Sequence, residues 1–322
     1  MHATHERIAI GIDVGGTAIK GGALDASGRI LAQRDTATCV DSGVQPIVDQ
    51  IAIMVKSIVD VLEIDESRIV GLGVGLPGLV DYSDGRVINC ANLPGWENVQ
   101  VAKRIAEKTG VRVLMENDAN NAALAEARLG AGNGEASMVM LTLGTGVGGG
   151  IVLNGALWRG ADGTAGELGH SIVHPGGRRC ACGQAGCLEV YASASATART
   201  VVESIEAGAA STLAERVRAG QPIGAADVVD AAKAGDEVAR AAWDATCKYL
   251  AIAAINLQHG LNPQSIVLGG GMSAAGDFLL DNIKHQCAEI MSHRLGRRPD
   301  LRLATLGNRA GFIGAALTAL DA

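Results

Sequence analysis

Apolar residues along the chain fall into short runs that glycine turns interrupt and that helix-compatible stretches separate. Residues 8–35 contain three apolar, β-branched runs divided by the turns DVGGT and DASG, which predicts three strands. A helix-compatible stretch at about 46–63 is followed by the glycine-rich run VGLGVGLPGLV, which predicts a further strand. Amphipathic spacing over 99–109, ended by Gly110, predicts a helix before the strand VRVLMEN. Strands that alternate with helices indicate an α/β protein.

The second half of the chain repeats the design of the first. Residues 138–160 again have the pattern of an apolar strand, a Gly/Thr turn and a returning strand, after the Ala- and Leu-rich helix DANNAALAEARLGAG. The chain is then alanine-rich and predicted to be helical from about 193 to 257. A strand and glycine turn follow at 265–273, then a helix around 277–294 and a last strand and helix. A design that occurs twice is an internal echo rather than a solenoid.

Composition narrows the classes of protein to consider. The 322 residues are enough for two lobes with their own cores, and 44 glycines indicate many tight turns or close backbone approaches to a ligand. Three Trp, three Tyr and two Phe leave little aromatic surface for stacking on nucleobases. Since the net charge is also −7, we expect no nucleic-acid partner.

The sequence carries no sign of a membrane span or a signal peptide. No apolar run reaches the roughly 18–20 residues that a span requires, and the N-terminus MHATHERIAI lacks the signal-peptide pattern. We therefore expect a soluble, cytoplasmic protein without a membrane partner. Thiols stay reduced in the cytoplasm, so the seven cysteines do not imply disulfides. Four of them are isolated and are predicted to be small buried apolar side chains: Cys39, Cys90, Cys247 and Cys287.

Two glycine turns, DVGGT at 13–17 and LGTGVGGG at 143–150, directly follow apolar strands. Glycine lets backbone N–H groups approach an anion closely, and threonine adds a hydroxyl donor, so both turns suit phosphate oxygens. Either turn alone also fits a plain hairpin. Together they favour phosphate binding, with Asp13 at a strand end to hold the water shell of a Mg²⁺ ion.

Two other phosphate-binding motifs do not fit. The pattern GxGxxG occurs at 73–78 and 144–149, but a dinucleotide fold needs a helix directly after the first glycine. Residues 150–153 have the pattern of a strand instead, and Pro77 lies within the first match. The chain contains no Gly-Lys pair, which excludes a P-loop. We therefore predict phosphate binding without a Rossmann or P-loop fold.

The tripeptide END at 116–118 lies where a predicted strand meets a predicted helix. Asp118 is either the N-cap of that helix, a common use of aspartate, or a general base for a substrate hydroxyl, with Asn117 binding the neighbouring hydroxyl. Further polar candidates come from separate loops: Asn92 in ANLPGW, Glu167 and His170 in AGELGH, and Glu189. Each residue type is common on protein surfaces, but together they suit a ligand with many hydroxyl groups.

Three cysteines within CACGQAGCLE need a separate explanation. With His170 they give the spacing H-x9-C-x-C-x4-C, and this set of Cys180, Cys182, Cys187 and imidazole matches a closed tetrahedral zinc site of the structural kind. His170 would bind through one ring nitrogen and leave the other to face a substrate. His174 is a competing ligand. A redox pair would need C-x-x-C, which is absent, and three unliganded thiols are the remaining alternative.

In order along the chain, the motifs DVGGT, LPGLV, ENDAN, LGTGVGGG, GTAGELGH, CACGQAGCLE and IVLGGG resemble those of the ROK family of sugar kinases. The segments GLPGLV, ASASATART and LNPQSIVLGGGMS resemble its bacterial glucokinases more than its amino-sugar kinases. The resemblance covers almost the whole chain. It implies an actin-like ATPase (ribonuclease-H-like) α/β fold of two lobes with a cleft for sugar and ATP between them. It assigns 1–118 to a small N-terminal lobe, joined by a C-terminal helix at about 306–322, and 119–305 to a larger lobe with the zinc site.

The resemblance also implies a role for each matching residue. Asp118 is implied as the base that takes the proton from the attacking sugar hydroxyl. The implied sugar ligands are Gly78, Asn92, Asn117, Asp118, Glu167, His170 and Glu189. The implied phosphate, Mg²⁺ and adenosine contacts are Asp13, Gly15, Gly16, Thr17, Gly144, Thr145, Gly146, Gly269, Gly270 and Gly271. Ala18 departs from the family pattern, in which a polar or basic residue often follows DxGGT, and Lys20 is its expected substitute.

The expected reaction is ATP-dependent phosphorylation of glucose to glucose 6-phosphate, with Mg²⁺ on ATP and a structural Zn²⁺. Alternative substrates are N-acetylglucosamine, N-acetylmannosamine, mannose, fructose and allose, and polyphosphate use stays open. A sugar-sensing regulator is a different class, because repressors of this family carry a helix-turn-helix domain before the sugar-binding body. Only about a dozen residues precede Asp13, which favours catalysis. Family members form dimers and tetramers, so a homodimer or homotetramer is expected.

Overall fold

The structure, a computed structural model, describes residues 7–40, 43–90, 93, 95–292 and 294–322. These residues form twelve strands and ten α-helices, joined by turns and short 3₁₀ helices. The strands are β1 (Ile8–Val14), β2 (Ala18–Asp25), β3 (Ile30–Ala37), β4 (Ile69–Leu76), β5 (Leu79–Asp81), β6 (Arg86–Asn89), β7 (Val113–Asn117), β8 (Ser137–Leu143), β9 (Val147–Leu153), β10 (Ala156–Leu157), β11 (Ser265–Gly269) and β12 (Leu301–Leu303). The helices are α1 (Val44–Leu62), α2 (Val101–Thr109), α3 (Asp118–Leu129), α4 (Glu189–Ala192), α5 (Ala194–Glu206), α6 (Ala214–Arg218), α7 (Ala225–Lys233), α8 (Glu237–Leu261), α9 (Asp277–Ile290) and α10 (Ala310–Leu320).

The strands and helices predicted from the apolar pattern are confirmed, and the largest difference lies in the alanine-rich region. The helical stretch predicted over 193–257 is divided into α5, α6, α7 and α8. Each of the first three helices ends just before a glycine with positive φ: Gly208, Gly220 and Gly235. Glycine adopts this left-handed conformation without a steric penalty, so these residues end the helices although alanine favours their continuation.

The chain divides into two compact units, which are described separately. The first comprises Met1–Gly134, Gly150–Gly166 and Leu306–Ala322, and the second comprises Glu135–Gly149 and Glu167–Thr305. Helix α3 packs against α10 within the first unit. This division therefore differs from the predicted lobe boundary at 118/119, which would place α3 in the other lobe, because the apolar side chains of α3 are buried together with those of α10.

The first sheet has the strand order β3-β2-β1-β4-β7. Strand β1 pairs antiparallel with β2 and parallel with β4, and β4 pairs parallel with β7. Ile8, Ile10 and Ile12 belong to a core cluster that also contains side chains of α1, whereas Ala9 packs in a second cluster with α3 and α10. Both faces of β1 are thus covered by helices, which explains its continuous apolar sequence.

Helix α10 lies directly on the first sheet because glycines remove the intervening side chains. A Cβ atom at Gly11 of β1 would overlap the carbonyl oxygen of Phe312, and one at Gly73 of β4 would overlap that of Ala315. Gly314 of the helix approaches the carbonyl of Asn121 in α3 in the same way. Several of the 44 glycines therefore serve packing between backbones rather than turns.

The second sheet has the order β10-β9-β8-β11-β12, which repeats the pattern of the first. In each sheet the central strand, β1 or β8, begins a run of antiparallel hairpins on one side and pairs parallel on its other side with a strand that follows a helical connection. The predicted internal echo is therefore confirmed. Within the second unit, α5, α7 and α8 form a separate apolar cluster, and Trp243 of α8 stacks on Phe278 of α9 with ring centroids 5.7 Å apart.

Among the helices of the described residues, none combines the length and the apolar character that crossing a lipid bilayer demands.

Candidate active site

The first glycine turn, between β1 and β2, is fixed by the backbone and by Thr38. The N–H of Gly15 donates to the carbonyl of Ala18 at 3.0 Å, and the Thr38 hydroxyl donates to the carbonyl of Gly15 at 2.7 Å. Gly16 and Thr17 at the tip are exposed. The turn is thus ordered with an exposed tip, and the phosphate contacts predicted for Gly15, Gly16 and Thr17 stay a prediction.

Asp13 lies near the end of β1, opposite Lys20 of β2 in the register of the sheet. Burial and then the negative charge of Asp118 raise the pKa of Asp13 to about 7, and the positive charge of Lys20 opposes this rise. The Asp13 carboxylate packs against Gly311 of α10, where a Cβ atom would overlap it. The structure thus brings Asp13, Lys20 and Asp118 within electrostatic reach of one another inside the first unit.

Asn117 and Asp118 lie at the junction of β7 and α3. Oδ1 of Asn117 accepts hydrogen bonds from the N–H groups of Ala119 at 2.9 Å and Asn120 at 3.1 Å, so Asn117 is the N-cap of α3. Asp118 is the first helical residue, and its Oδ1 accepts from the N–H of Ala119 at 2.9 Å. The alternative role of Asp118 as the N-cap is therefore wrong, because the residue before it already serves as the cap.

Gly78 lies in the turn between β4 and β5 and has a φ of 102°. A Cβ atom there would overlap the carbonyl oxygen of Asn89, and the carbonyl of Gly78 accepts from Nδ2 of Asn117 at 3.2 Å. The structure thus brings the predicted ligands Gly78 and Asn117 into direct contact. The predicted ligand Asn92 lies outside the described residues.

In the second unit, the turn between β8 and β9 contains Gly144, Thr145 and Gly146. The N–H of Gly144 donates to the carbonyl of Gly146 at 3.0 Å. Glu189, the first residue of α4, packs against Gly146, and its Oε2 accepts from the N–H of Val147 at 3.0 Å. The predicted sugar ligand Glu189 is therefore fixed by the predicted phosphate turn.

The predicted adenosine-side turn, Gly269 to Gly271, follows β11. Gly270 has a φ of 81°, and a Cβ atom on it would contact the backbone of Leu143 at 2.5–2.8 Å. Because Leu143 directly precedes Gly144, the two glycine turns of the second unit lie side by side. Residues 143–146 and 269–271 lie side by side because β8 and β11, which lead into them, pair in parallel.

Glu167 and His170 flank a single turn of 3₁₀ helix, Leu168–His170. Nε2 of His170 lies 3.9 Å from Oε2 of Glu167, and its Nδ1 lies 3.7 Å from Sγ of Cys180. The two ring nitrogens therefore face different partners: one faces a predicted sugar ligand and the other faces the cysteines. The prediction that one ring nitrogen binds a metal and the other faces a substrate requires two such separate sides of the ring.

The four predicted metal ligands, His170, Cys180, Cys182 and Cys187, form one cluster. Their ligand atoms all lie within 4.8 Å of one another, and the sulfur atoms of Cys182 and Cys187 are 3.6 Å apart. A tetrahedral zinc ion with Zn–S distances of ~2.3 Å separates its ligands by about 3.7 Å. The cluster therefore has the composition and the spacing of a structural Cys₃His zinc site.

The three thiols of the cluster differ in their surroundings. Burial raises the pKa of the Cys180 thiol and that of Cys187, whereas a backbone hydrogen bond from Gln184 lowers that of the exposed Cys182. Cysteine sulfur and histidine nitrogen are the ligands of structural zinc sites, so the set fits zinc by ligand type as well as by spacing.

His174, the competing ligand, has other partners. Its Nδ1 lies 3.1 Å from the hydroxyl of Tyr249, and its ring packs 5.4 Å from that of Tyr191. Among the described residues, the group that could hold a metal ion contains His170 and the three cysteines but not His174.

Sequence reasoning missed a polar network beneath Asn117 and Asp118. Glu116 is only 1% exposed and pairs with Arg159, whose Nε lies 2.7 Å from its Oε2. Tyr82 packs under the Arg159 guanidinium, 5.2 Å from the ring centroid. The signal that could have revealed the network is a carboxylate inside the apolar run VRVLMEN, where a buried charge needs a partner.

Comparison with known proteins places these features in a family context. The chain matches the ROK family over residues 9–322. It is 40% identical over 310 residues to a glucokinase of Halalkalibacterium halodurans, covering 96% of this chain and 94% of the relative. It is 36% identical over 307 residues to a glucokinase of Thermotoga maritima, covering 95% of each. A crystal structure of a ROK family glucokinase from Streptomyces griseus in complex with glucose and AMPPNP matches with a TM-score of 0.81 at 33% identity, covering 98% of this chain and 100% of that one.

Proposed function

Because the chain belongs to the ROK family, we propose that it is an ATP-dependent hexose kinase that converts glucose to glucose 6-phosphate. The family read from the seven motifs is confirmed, and with it the two-lobed actin-like ATPase fold. The observation that carries the proposed reaction is the turn at Asn117 and Asp118, which places a carboxylate and an amide at the start of α3. Similarity to proteins named glucokinase over nearly the whole chain supports glucose as the substrate.

Asp118 is the proposed general base. The oxygen of the sugar hydroxyl bonds to the γ-phosphorus of ATP, its proton moves to the Asp118 carboxylate, and the bond from γ-phosphorus to the bridging oxygen breaks to release ADP. Phosphoryl transfer of this kind depends mainly on positioning and on charge neutralisation. One carboxylate beside the nucleophile suffices as the base, and the hydrogen bond from Ala119 fixes its orientation.

The proposed phosphate and nucleotide contacts are the glycine turns of the two units: Asp13, Gly15, Gly16, Thr17 and Lys20 in the first, and Gly144, Thr145, Gly146, Gly269, Gly270 and Gly271 in the second. Mg²⁺ bound with ATP supplies neutralisation of the β- and γ-phosphate charge. Asp13 would hold the water shell of that ion. Lys20 would stabilise the ionised form of Asp13, because its positive charge opposes the rise in the pKa of Asp13 that burial and Asp118 cause.

The proposed sugar ligands are Gly78, Asn92, Asn117, Glu167, His170 and Glu189, together with Asp118. Several of these side chains are already held by neighbours: Asn117 by its capping bonds and Glu189 by the N–H of Val147. Groups held in place before a ligand arrives lose little entropy on binding. This supports their role as fixed hydrogen-bonding partners for sugar hydroxyls.

A structural zinc ion held by His170, Cys180, Cys182 and Cys187 is part of the proposal. It would cross-link the loop of Glu167 to the segment before Glu189 and orient the His170 ring, without joining the chemistry. The spacing of the four ligand atoms supports it. We also propose a cytoplasmic enzyme that forms a homodimer or homotetramer, which light scattering of the purified protein tests.

The first experiment compares initial rates with Mg-ATP on glucose, mannose, N-acetylglucosamine, N-acetylmannosamine, fructose and allose. We expect kcat/KM to be highest for glucose. A preference for an N-acetyl sugar would retain the kinase proposal and change the substrate. Binding of a sugar by calorimetry without turnover of any member of the panel would contradict the kinase and favour the sugar-sensing regulator.

A further inference from the structure

Glu116 is a buried carboxylate for which the proposed reaction has no role. It is the residue of β7 that directly precedes Asn117 and Asp118, and 1% of its side chain is exposed. One oxygen, Oε1, accepts from the N–H of Asn117 and from Nδ2 of Asn120, both at 3.0 Å. Glu116 therefore holds the residues on both sides of Asp118.

The other oxygen of Glu116 connects this turn to a loop. Oε2 accepts from Nε of Arg159 at 2.7 Å. The carbonyl of Arg159 accepts from the N–H of Ala165 at 3.0 Å, which closes the loop 159–165. The hydroxyl of Tyr82 donates to the carbonyl of Gly163 in that loop at 3.0 Å. All of these residues belong to the first unit, and the next residues along the chain lead directly to Glu167.

Stability alone does not account for this ion pair. Two well-packed apolar side chains are often at least as stabilising as a buried ion pair, because removing charges from water is costly. What an apolar pair lacks is direction: the Glu116 carboxylate fixes one backbone N–H, one amide and one guanidinium at defined angles. The groups that it fixes flank the residue proposed as the base.

We propose that Glu116 and Arg159 are positioning residues for phosphoryl transfer. Their ion pair sets the orientation of Asp118 through Asn117 and Asn120, and ties the loop 159–165 to the same carboxylate. The inference rests on the proposed function, since it concerns the base of that reaction. Because Asn117 and Asp118 are also proposed sugar ligands, KM for glucose should rise somewhat, but a displaced base slows the chemical step, so kcat should change by the larger factor.

The test is a double-mutant cycle with glucose and Mg-ATP. The variants are Glu116→Gln, Arg159→Met and the two combined, with Arg159→Lys as the conservative replacement. Controls come from Glu135 and Arg302, whose ion pair has the same 2.7 Å separation and an Arg side chain of similar exposure, 38% against 35%, although Arg302 also pairs with Asp300. Glu135→Gln and Arg302→Met therefore report the cost of breaking a comparable pair remote in sequence from END. The melting temperature of each protein is recorded beside kcat and KM.

We expect each single variant to lower kcat by about tenfold or more. The kcat of the double variant should be close to that of each single variant, because the two residues act as one unit. Independent residues would instead give a loss of kcat equal to the product of the two single losses. Arg159→Lys should recover part of kcat, and the control variants should lose melting temperature but keep kcat.

Three results would overturn the inference. Variants that melt at lower temperature but keep kcat would reduce the pair to a structural contact, and independent losses would show that the residues do not act together. An equal loss of kcat in the control variants would also contradict it. If Glu116→Gln does not fold, Arg159→Met and Arg159→Lys can still be compared, because the partly exposed Arg159 side chain tolerates replacement better than the buried Glu116. An inactive wild-type protein would overturn the proposed function itself, whereas an active wild type with unaffected variants would overturn the positioning role alone.

Discussion

The two units hold their candidate sugar ligands in different ways. In the first unit, Asn117 and Asp118 lie where a regular strand becomes a regular helix, so backbone hydrogen bonds and one buried carboxylate fix them. In the second unit, Glu167 and His170 lie in a loop with a single turn of 3₁₀ helix, beside a cluster of three thiols. A ligand on a regular element needs only local side-chain support, whereas a ligand in a loop needs a cross-link between distant parts of the chain.

The strongest test of the first half of this comparison is Asp118→Asn. We expect kcat to fall by at least roughly a hundredfold, the usual scale for losing a general base, while glucose binding by calorimetry is retained because the amide preserves the shape of the turn. Steady-state kinetics with Mg-ATP and glucose provide the measurement. Turnover close to that of the wild type would remove Asp118 from the mechanism.

The second half of the comparison predicts that the loop ligands depend on a metal. Elemental analysis should find about one zinc per chain, and Cys180→Ser should lose it together with thermal stability and most of the activity, by about tenfold to a hundredfold. Cys287→Ser is a matched control, because Cys287 is also buried but packs in α9, outside the cluster of His170 and the three cysteines.

Protein that is free of metal but fully active and stable would show that the cysteines do not bind zinc. Equal losses of activity and thermal stability in Cys180→Ser and Cys287→Ser would indicate that the substitutions disturb packing rather than metal binding.

The smallest expected effect concerns the charge on Asp13 in the absence of Mg²⁺ and ATP. Burial and Asp118 raise its pKa to about 7, so between about pH 4 and pH 7 the unfolded chain loses a proton that the folded protein keeps. The free energy of unfolding therefore decreases as the pH rises through this window. Asp13→Asn cannot ionise and so lacks this pH dependence. The difference in melting temperature, variant minus wild type, should therefore increase by a few degrees from pH 4 to pH 7.

Asp236 provides a control of opposite sign. Burial alone would raise its pKa, but hydrogen bonds from Ala239, Thr212 and Ser211 lower it to about 2. Its ionised form therefore stabilises the folded protein above about pH 4, and this stabilisation is lost as the pH falls towards 2. Asp236→Asn should melt below wild type at pH 7 and approach it in acid. A difference independent of pH for Asp13→Asn would contradict the raised pKa.

Much of the fold follows from local patterns in the sequence. The glycine turns at 13–17 and 143–150 separate paired strands as predicted, because short apolar runs bounded by turn residues are typical of buried strands. The proximity of His170 and the three cysteines was predicted from their spacing, since thiols and imidazole have few reasons other than metal binding to recur at such intervals. These features need no knowledge of distant parts of the chain.

What the sequence could not provide depends on contacts between distant segments. The partner of Glu116 is Arg159, 43 residues away, and neither residue carries a local signal of the other. The sequence also could not decide whether Asn117 or Asp118 caps α3, because both residue types are good N-caps. The two alternatives move the start of the helix by one position only. The predicted boundary at 118/119 missed the packing of α3 on α10 because the apolar face of α3 does not show which partner covers it.

The close packing of α10 on Gly11 and Gly73 has a consequence for how the protein is made. Strand β1 leaves the ribosome before the second unit, and the helix that covers one of its faces leaves after it. Throughout synthesis of the second unit, the early sheet carries an apolar surface that awaits its cover. We therefore expect the nascent chain to need chaperone protection until α10 emerges, so that the unit translated first is the one completed last.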